Sequence, residues 1–285
     1  MPTEEERFDL QTGTDEKILS AEEQHFFDIT GYIYLPRVLN PEQVKKASQG
    51  LDQITRSPLP MIRLEYHGDT EVELINIIEA GGVIEDAMAL RPLVHYLQAL
   101  IWGQQFRLIA SRGWIRKPGS YSQLTQGGQA DPRRYTRYRC GPTGEFRCLL
   151  VTCMIPLSDS AEEDGCFCLI PGSHKSNLAH PYNNKKLKDI PSLHDLPMTS
   201  GSAIIFTENV SHAMKSPRSV TQRWLEFQYG PSYMVNWPGC NASSALLNRT
   251  ASNAMKSHLL QAPYYHPSGS QQKSRLKPSI KRNRN

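Results

Sequence analysis

The segment from Asp164 to Lys175 reads DGCFCLIPGSHK and shows the sequence pattern that decides the fold of this 285-residue chain. A short apolar run, Cys166 to Ile170, lies between two turn signals, Asp164-Gly and Pro171-Gly-Ser. Short apolar runs bounded by glycine and proline are typical of buried β-strands. The segment therefore predicts a short strand that ends in a tight turn.

The same pattern of short apolar runs separated by turn residues continues on both sides of this segment, whereas the region before Phe106 has helical patterns. Four further apolar runs are strand candidates separated by turn clusters: 106–117, 145–157, 203–206 and 223–229. Caps, an N1 proline and a closing glycine predict helices after Ser20, at Asn40-Pro41 and over 92–102. Helices followed by strands indicate an α+β chain. We predict a double-stranded β-helix, a jelly-roll or cupin-like barrel, with a packed helical layer.

Composition and charge exclude several classes of protein. Hydrophobic residues make up 39% of the chain and charged residues 21%, which excludes a disordered or fibrous protein. No apolar run reaches the roughly 18 residues that a membrane span needs. The net charge is +4, and the last nineteen residues carry six basic residues and no acid. Subtracting those six charges leaves −2 for the rest, so a nucleic-acid partner is not expected.

The charge and composition of both ends differ from those of the rest of the chain, and this difference divides the chain into three regions. Residues 1–19 are acidic and aperiodic and are predicted to be a mobile arm. Residues 20–266 are predicted to be a single domain, and 267–285 a disordered basic tail. The chain opens with acidic residues in place of a signal peptide and has no CxxC pair, which favours a cytoplasmic protein with reduced thiols.

Three stretches in this order resemble the phytanoyl-CoA dioxygenase family of non-haem iron, 2-oxoglutarate-dependent oxygenases, over about 26–231. They are FFDITGYIYLPRVLNPE at 26–42, DGCFCLIPGSHK at 164–175 and FTENVSH at 206–212. The resemblance implies that His212 is an iron ligand. It also implies that Arg223, eleven positions later, binds the distal carboxylate of 2-oxoglutarate. Two histidines and one carboxylate are the ligand set that such iron sites use.

The other two ligands of the resemblance should form a His-x-Asp string shortly after the Lys117-Pro-Gly turn. Residues 123–128 read QLTQGG there, so Thr125 stands at the histidine and Gly127 at the carboxylate. A shift of one residue places Gln126 at the histidine instead. These are degenerate triad positions, and they leave His212 as a vestigial or weak metal ligand and no catalytic residue assigned.

Two other segments could replace the missing ligands. Asp131 follows in the next loop and is one candidate. The other is His67-Gly-Asp69, a His-x-Asp string that lies about 145 residues before His212. We expect His67 and Asp69 to lie in a polar loop outside the iron site.

The resemblance to the family and the two missing iron ligands together determine the functional expectations. We expect a pseudoenzyme, an accessory subunit paired with an active relative in a hetero- or homo-oligomer. Secondary metabolism and fatty-acid oxidation are both compatible with the family. The alternative is an active hydroxylase or halogenase with atypical iron ligands and a small lipophilic substrate. A weaker alternative is a non-redox module that binds a small ligand. No cofactor is certain; Fe(II) and 2-oxoglutarate are implied by the resemblance alone.

Overall fold

The computed structural model describes residues 19–101, 106–127, 138–141, 145–176, 178–234 and 241–263. The predicted arm and tail lie outside these ranges, except for Leu19, which is buried. Asp131 also lies outside them. Within the described ranges, no helix has the length and apolar character that crossing a membrane requires.

Six helices and ten strands form the described part of the chain. The helices are α1 (Ala21–Thr30), α2 (Pro41–Arg56), α3 (Gly82–Asp86), α4 (Arg91–Leu100), α5 (Ser244–Thr250) and α6 (Ala254–Leu259). The first strands are β1 (Tyr32–Leu35), β2 (Arg63–His67), β3 (Glu71–Ile75), β4 (Phe106–Arg116) and β5 (Val151–Pro156). The remaining strands are β6 (Phe167–Leu169), β7 (His194–Leu196), β8 (Ala203–Thr207), β9 (His212–Met214) and β10 (Gln222–Pro231).

The strands form two antiparallel sheets that face each other. The large sheet has the order β1-β8-β5-β10-β4-β3-β2, and the small sheet has the order β7-β6-β9. Aromatic and aliphatic side chains from both sheets meet in one apolar cluster between them, including Phe167, Phe206 and Trp224. This confirms the prediction of antiparallel sheets in a jelly-roll arrangement, because two facing sheets of this kind enclose a barrel interior.

The other face of the large sheet is covered by helices. A second, larger apolar cluster joins α2 and α4 to the side chains that β5, β8 and β10 send outward, including Leu51, Ile205 and Phe227. Gly113 of β4 lets α2 approach closely, since a Cβ atom there would come within 2.7 Å of Leu51 Cδ2. The predicted helical layer is therefore confirmed, and it fixes the large sheet from outside the barrel.

Local signals explain where the helices begin. Ser20 and Glu23 form a capping box at α1, and Asn40 and Gln43 form another at α2. In each box the cap side chain accepts from the N3 backbone amide, and the N3 side chain accepts from the cap amide. The box at Ser20 and the start at Asn40-Pro41 were both predicted from the sequence, whereas the reciprocal contact of Asn40 with Gln43 is seen only in the structure.

The hairpin of β2 and β3 corrects one expectation. His67 was expected in a loop, but it is the last residue of β2, and only Asp69 lies in the turn. Gly68 takes a positive φ of 65°, which lets the chain reverse into β3. Alternating polar and apolar residues over 63–67 and 71–75 were the missed signal. As a result, the large sheet extends two strands further than the apolar runs indicated.

The contact between α2 and the large sheet yields a stability prediction. Leu51→Ala should lower the free energy of unfolding by about 2–5 kcal/mol, because it leaves a cavity beside Gly113 that the rigid sheet cannot fill. Gln53→Ala, on the exposed face of the same helix, should change it by less than about 0.5 kcal/mol. Urea unfolding followed by circular dichroism measures both. Equal effects would show that α2 does not pack on the sheet as described.

Candidate functional site

His212 lies inside the barrel at the start of β9, with its imidazole held in a fixed orientation. Its Nδ1 lies 2.8 Å from the carbonyl oxygen of Val210, and since a carbonyl only accepts, Nδ1 carries the proton. Phe167 stacks on the ring at 5.9 Å, and Phe206 packs against it at 4.6 Å between ring centroids. These contacts direct Nε2 toward the barrel interior.

Thr125 lies directly opposite His212. The two residues exchange backbone hydrogen bonds of 2.8 and 2.9 Å, and Thr125 Oγ1 lies 3.3 Å from His212 Nε2. The side chain of Gln126 turns away and donates to the carbonyl oxygen of Asn209 at 3.1 Å. Gly127 adopts a positive φ of 57° and brings no side chain. Of the degenerate triad positions, the structure thus brings Thr125 to His212 and leaves Gln126 outside the group.

Glu208 is a member of this group that sequence reasoning missed. Its Oε1 lies 3.8 Å from His212 Nε2, and its Oε2 accepts from the hydroxyl of Thr152. Burial raises the pKa of Glu208. The only signal was its position four residues before His212 in FTENVSH. That stretch gives no indication that residue 208 points into the barrel.

Arg223 does not join this group. Successive residues of a strand point to opposite faces of the sheet, and in β10 Trp224 and Glu226 point inward. Arg223 points outward, where its Nε donates to Asp52 Oδ1 on α2 at 2.8 Å. Arg223 therefore does not lie beside His212, and its position gives no support to the prediction that it binds 2-oxoglutarate.

Two arginines of β4 do point into the barrel, and both have carboxylate partners. Arg112 Nε lies 2.9 Å from Glu73 Oε1, and Arg112 Nη1 lies 2.8 Å from Glu226 Oε1. Arg116 Nε donates to Glu71 Oε2 at 2.6 Å, and its Nη2 donates to a backbone carbonyl. Both guanidinium groups thus have their charge balanced within the chain.

A pocket of about 320 Å³ opens beside His212, at the small end of the usual range for ligand sites. Its walls are aromatic, thioether and charged side chains, among them Trp114, Tyr121, Met154, Glu208, Glu226 and Arg116. Trp114 Nε1 donates to Glu226 Oε2 at 2.8 Å, which fixes the indole in the wall. The pocket therefore has room for a small ligand and an acidic lining.

These residues do not fit a complete iron and 2-oxoglutarate site. Among the described residues, the ligands near His212 Nε2 are one carboxylate, from Glu208, and one neutral hydroxyl, from Thr125. A facial triad needs a second imidazole in place of that hydroxyl. The cosubstrate also needs a cation for its distal carboxylate. Arg112 and Arg116, the arginines described above as pointing into the barrel, already neutralise glutamates there.

His174, in the Pro171-Gly-Ser-His turn, has a structural position. Its Nε2 donates to the carbonyl oxygen of Asp28 at 3.0 Å, which ties the turn to α1. The residue is only 2% exposed, and its Nδ1 is buried with no hydrogen-bond partner. Burial lowers the pKa of His174 to about 4.

Comparisons with known proteins agree with the fold. The family model described as phytanoyl-CoA dioxygenase (PhyH) matches residues 27–223. The dioxygenase trt7 of Aspergillus terreus is 24% identical over 190 residues, which cover 64% of this chain and 63% of trt7. The match thus spans less than two thirds of that relative.

Two solved structures share the architecture. HygX of Streptomyces hygroscopicus, solved with nickel, 2-oxoglutarate and hygromycin B, has a TM-score of 0.66 and 22% identity, over 77% of this chain and 90% of HygX. The epimerase SnoN, solved with Fe³⁺, alpha-ketoglutarate and nogalamycin RO, has a TM-score of 0.56 and 12% identity, over 77% of this chain and 90% of SnoN. At this identity the likeness concerns the fold.

The buried His174 predicts a pH dependence of stability. A histidine ordinarily has a pKa near 6.5, so the unfolded chain binds this proton more tightly than the folded chain does. Stability should fall as the pH drops from 6.5 to about 4, by about 3 kcal/mol from this residue. His174→Asn should be less stable than the wild type at pH 7 but lose less on acidification. His194→Asn, at an exposed site, should follow the wild type in urea unfolding at both pH values.

The ionic contacts inside the barrel predict a second effect. Glu226→Ala should lower the free energy of unfolding by about 3 kcal/mol, because it removes a buried partner from both Arg112 and Trp114. Glu42→Ala, which removes an exposed pair with Lys46, should leave the unfolding midpoint unchanged. Thermal unfolding followed by circular dichroism compares the two variants. An unchanged midpoint for Glu226→Ala would contradict the role assigned to this carboxylate.

Proposed function

The chain belongs to the phytanoyl-CoA dioxygenase family, and we propose that it is a member that does not act as an iron and 2-oxoglutarate oxygenase by itself. The observation that carries this proposal is the contact between His212 and Thr125, with Gly127 two residues further on. A hydroxyl and a hydrogen atom stand where the resemblance implies an imidazole and a carboxylate. The proposal follows from this loss of two ligands at one metal position.

The loss of metal affinity that two missing ligands would cause supports the proposal. Changing a residue that only orients a metal ligand costs about 10–100-fold in affinity, and losing two direct ligands should cost more. Glu208 replaces at most one of them, and its burial disfavours the charged form that binds metal. The outward position of Arg223 removes the expected cosubstrate contact as well.

We further propose that the chain supports an active relative as an accessory subunit. The two arginines that point into the barrel are paired with carboxylates of the chain itself, so their charges are balanced without a bound ligand. The outer surface offers a place for a partner: Phe26 and Ile29 of α1 and Tyr34 of the edge strand β1 are 43%, 49% and 39% exposed. A fold kept intact around a reduced site is consistent with a role in assembly, since function resides in sites and surfaces.

A second candidate function, that of an active oxygenase, is favoured by the short distance between His212 and Glu208. His212 Nε2 and Glu208 Oε1 lie 3.8 Å apart, so both could bind one ferrous ion if the carboxylate is ionised. The chain would then be an active oxygenase with an atypical ligand pair and a substrate that fits the pocket beside Trp114. In that case His212→Ala abolishes turnover.

Ferrous ion binding decides between the two functions. Anaerobic titration of the wild type with Fe(II) and excess 2-oxoglutarate should give no stoichiometric binding that depends on His212, and no succinate on exposure to oxygen. The double variant Thr125→His/Gly127→Asp should bind Fe(II) at least about tenfold more tightly, because it restores the missing ligand types. Gly127 has a φ of 57°, a region in which aspartate and asparagine are the non-glycine residues found most often, so aspartate is the carboxylate residue that fits this backbone with the least strain.

The control is His212→Ala in the double-variant background, which should lose the affinity that was gained. Tight binding of Fe(II) by the wild type, abolished by His212→Ala and accompanied by succinate, would refute the first proposal and establish the second. The partner proposal is tested separately by co-expression with an active family member and size-exclusion chromatography. Elution of the two chains as independent monomers would contradict it.

A further inference from the structure

The hairpin of β2 and β3 carries a second group of metal-ligating side chains, apart from His212. Glu65 and His67 of β2 and Glu73 of β3 each offer one ligand atom, and these atoms all lie within 4.8 Å of one another. His67 Nε2 and Glu73 Oε2 are 3.4 Å apart. Donor atoms bound to a common zinc ion at about 2.1 Å lie roughly 3–3.5 Å apart, so one pair already has this spacing.

We propose that Glu65, His67 and Glu73 form a binding site for a divalent transition-metal cation. One imidazole and two carboxylates suit zinc, manganese or ferrous ion, with water in the remaining positions. The side chain of Glu65 is 41% exposed and its ligand atom lies within 4.8 Å of those of His67 and Glu73. This site lies outside the proposed function and does not depend on it.

The register of the hairpin supports a cation at this place. Glu65 and Glu73 are directly opposite each other on neighbouring antiparallel strands. Like charges in this position are destabilising, because their side chains stand about 5 Å apart on the same face of the sheet. A divalent cation between them converts this repulsion into attraction. Arg63 pairs with Glu65 at 2.8 Å but is 60% exposed, and Arg112 pairs with Glu73 at 2.9 Å, so the two arginines already offset part of this repulsion.

Neighbouring side chains orient two of the three ligands. Arg112 Nε holds Glu73 Oε1 at 2.9 Å, which leaves Oε2 directed at His67. The indole of Trp114 stacks on the imidazole of His67, with ring centroids 6.3 Å apart and an interplanar angle of 25°. Contacts of this kind, from residues that do not touch the metal, fix ligand geometry in metal sites.

The site is also connected to the pocket beside His212. Trp114 contacts His67 and is at the same time part of the pocket wall. A cation bound at the hairpin would therefore hold β2 and β3 against the indole and stabilise one wall of the pocket. Its expected role is to order this end of the barrel.

Zinc binding to the full-length, untagged protein tests the proposal. Isothermal titration with Zn²⁺ alone should show one site, and His67→Ala and Glu65→Gln should each weaken it by at least about tenfold. Both residues are more than 40% exposed, so the variants should keep the wild-type melting temperature without metal. Added Zn²⁺ should raise the melting temperature of the wild type and leave that of His67→Ala unchanged.

A matched variant and a diagnostic one locate the bound ion. His194→Ala, at an exposed histidine of β7, should bind Zn²⁺ as the wild type does, whereas loss of binding in His212→Ala would place the ion in the barrel. The proposal is overturned if His67→Ala retains wild-type affinity, or if binding is lost in His212→Ala instead. Because the ferrous test above depends on His212 and this one on His67, either proposal can fail without the other.

Discussion

Buried charge in the barrel has to be balanced, and this requirement governs the interior of the molecule. Arg112 lies between Glu73 and Glu226, and Arg116 is bound to Glu71. A buried guanidinium without a carboxylate would cost several kcal/mol, so these pairs must persist whether or not a ligand is present. Arg112 and Arg116 therefore remain paired with carboxylates of the barrel interior. An acidic cosubstrate entering this pocket would have to compete with carboxylates that are covalently part of the chain.

The sequence was a good guide wherever the decisive signal was local. Ser20 and Asn40 cap the helices that their neighbours predict, and Asp164-Gly and Pro171-Gly-Ser bound a strand as expected. The β2–β3 hairpin differs in that residues 63–67 and 71–75 alternate between polar and apolar residues. This pattern is typical of a half-buried strand and lacks the continuous apolar run that marks the buried strands.

The candidate site was harder to predict, because it depends on the direction in which side chains point. The spacing between His212 and Arg223 matches the resemblance, yet a strand reverses its side chains at every residue, so spacing alone does not fix the face. Glu208 shows the opposite case: it lies within FTENVSH without an assigned role, but the turn between β8 and β9 directs it at the imidazole. Both outcomes are set by tertiary packing.

The paired backbone hydrogen bonds between Thr125 and His212 have an evolutionary consequence. They join the two segments through main-chain atoms, so this connection does not depend on which side chain residue 125 carries, and Thr125 Oγ1 only adds a hydrogen bond to the carbonyl oxygen of His212 at 3.2 Å. A lineage can therefore exchange that side chain and keep the pairing of the two segments. Descendants of one oxygenase could thus lose the chemistry while selection on shape continued uninterrupted.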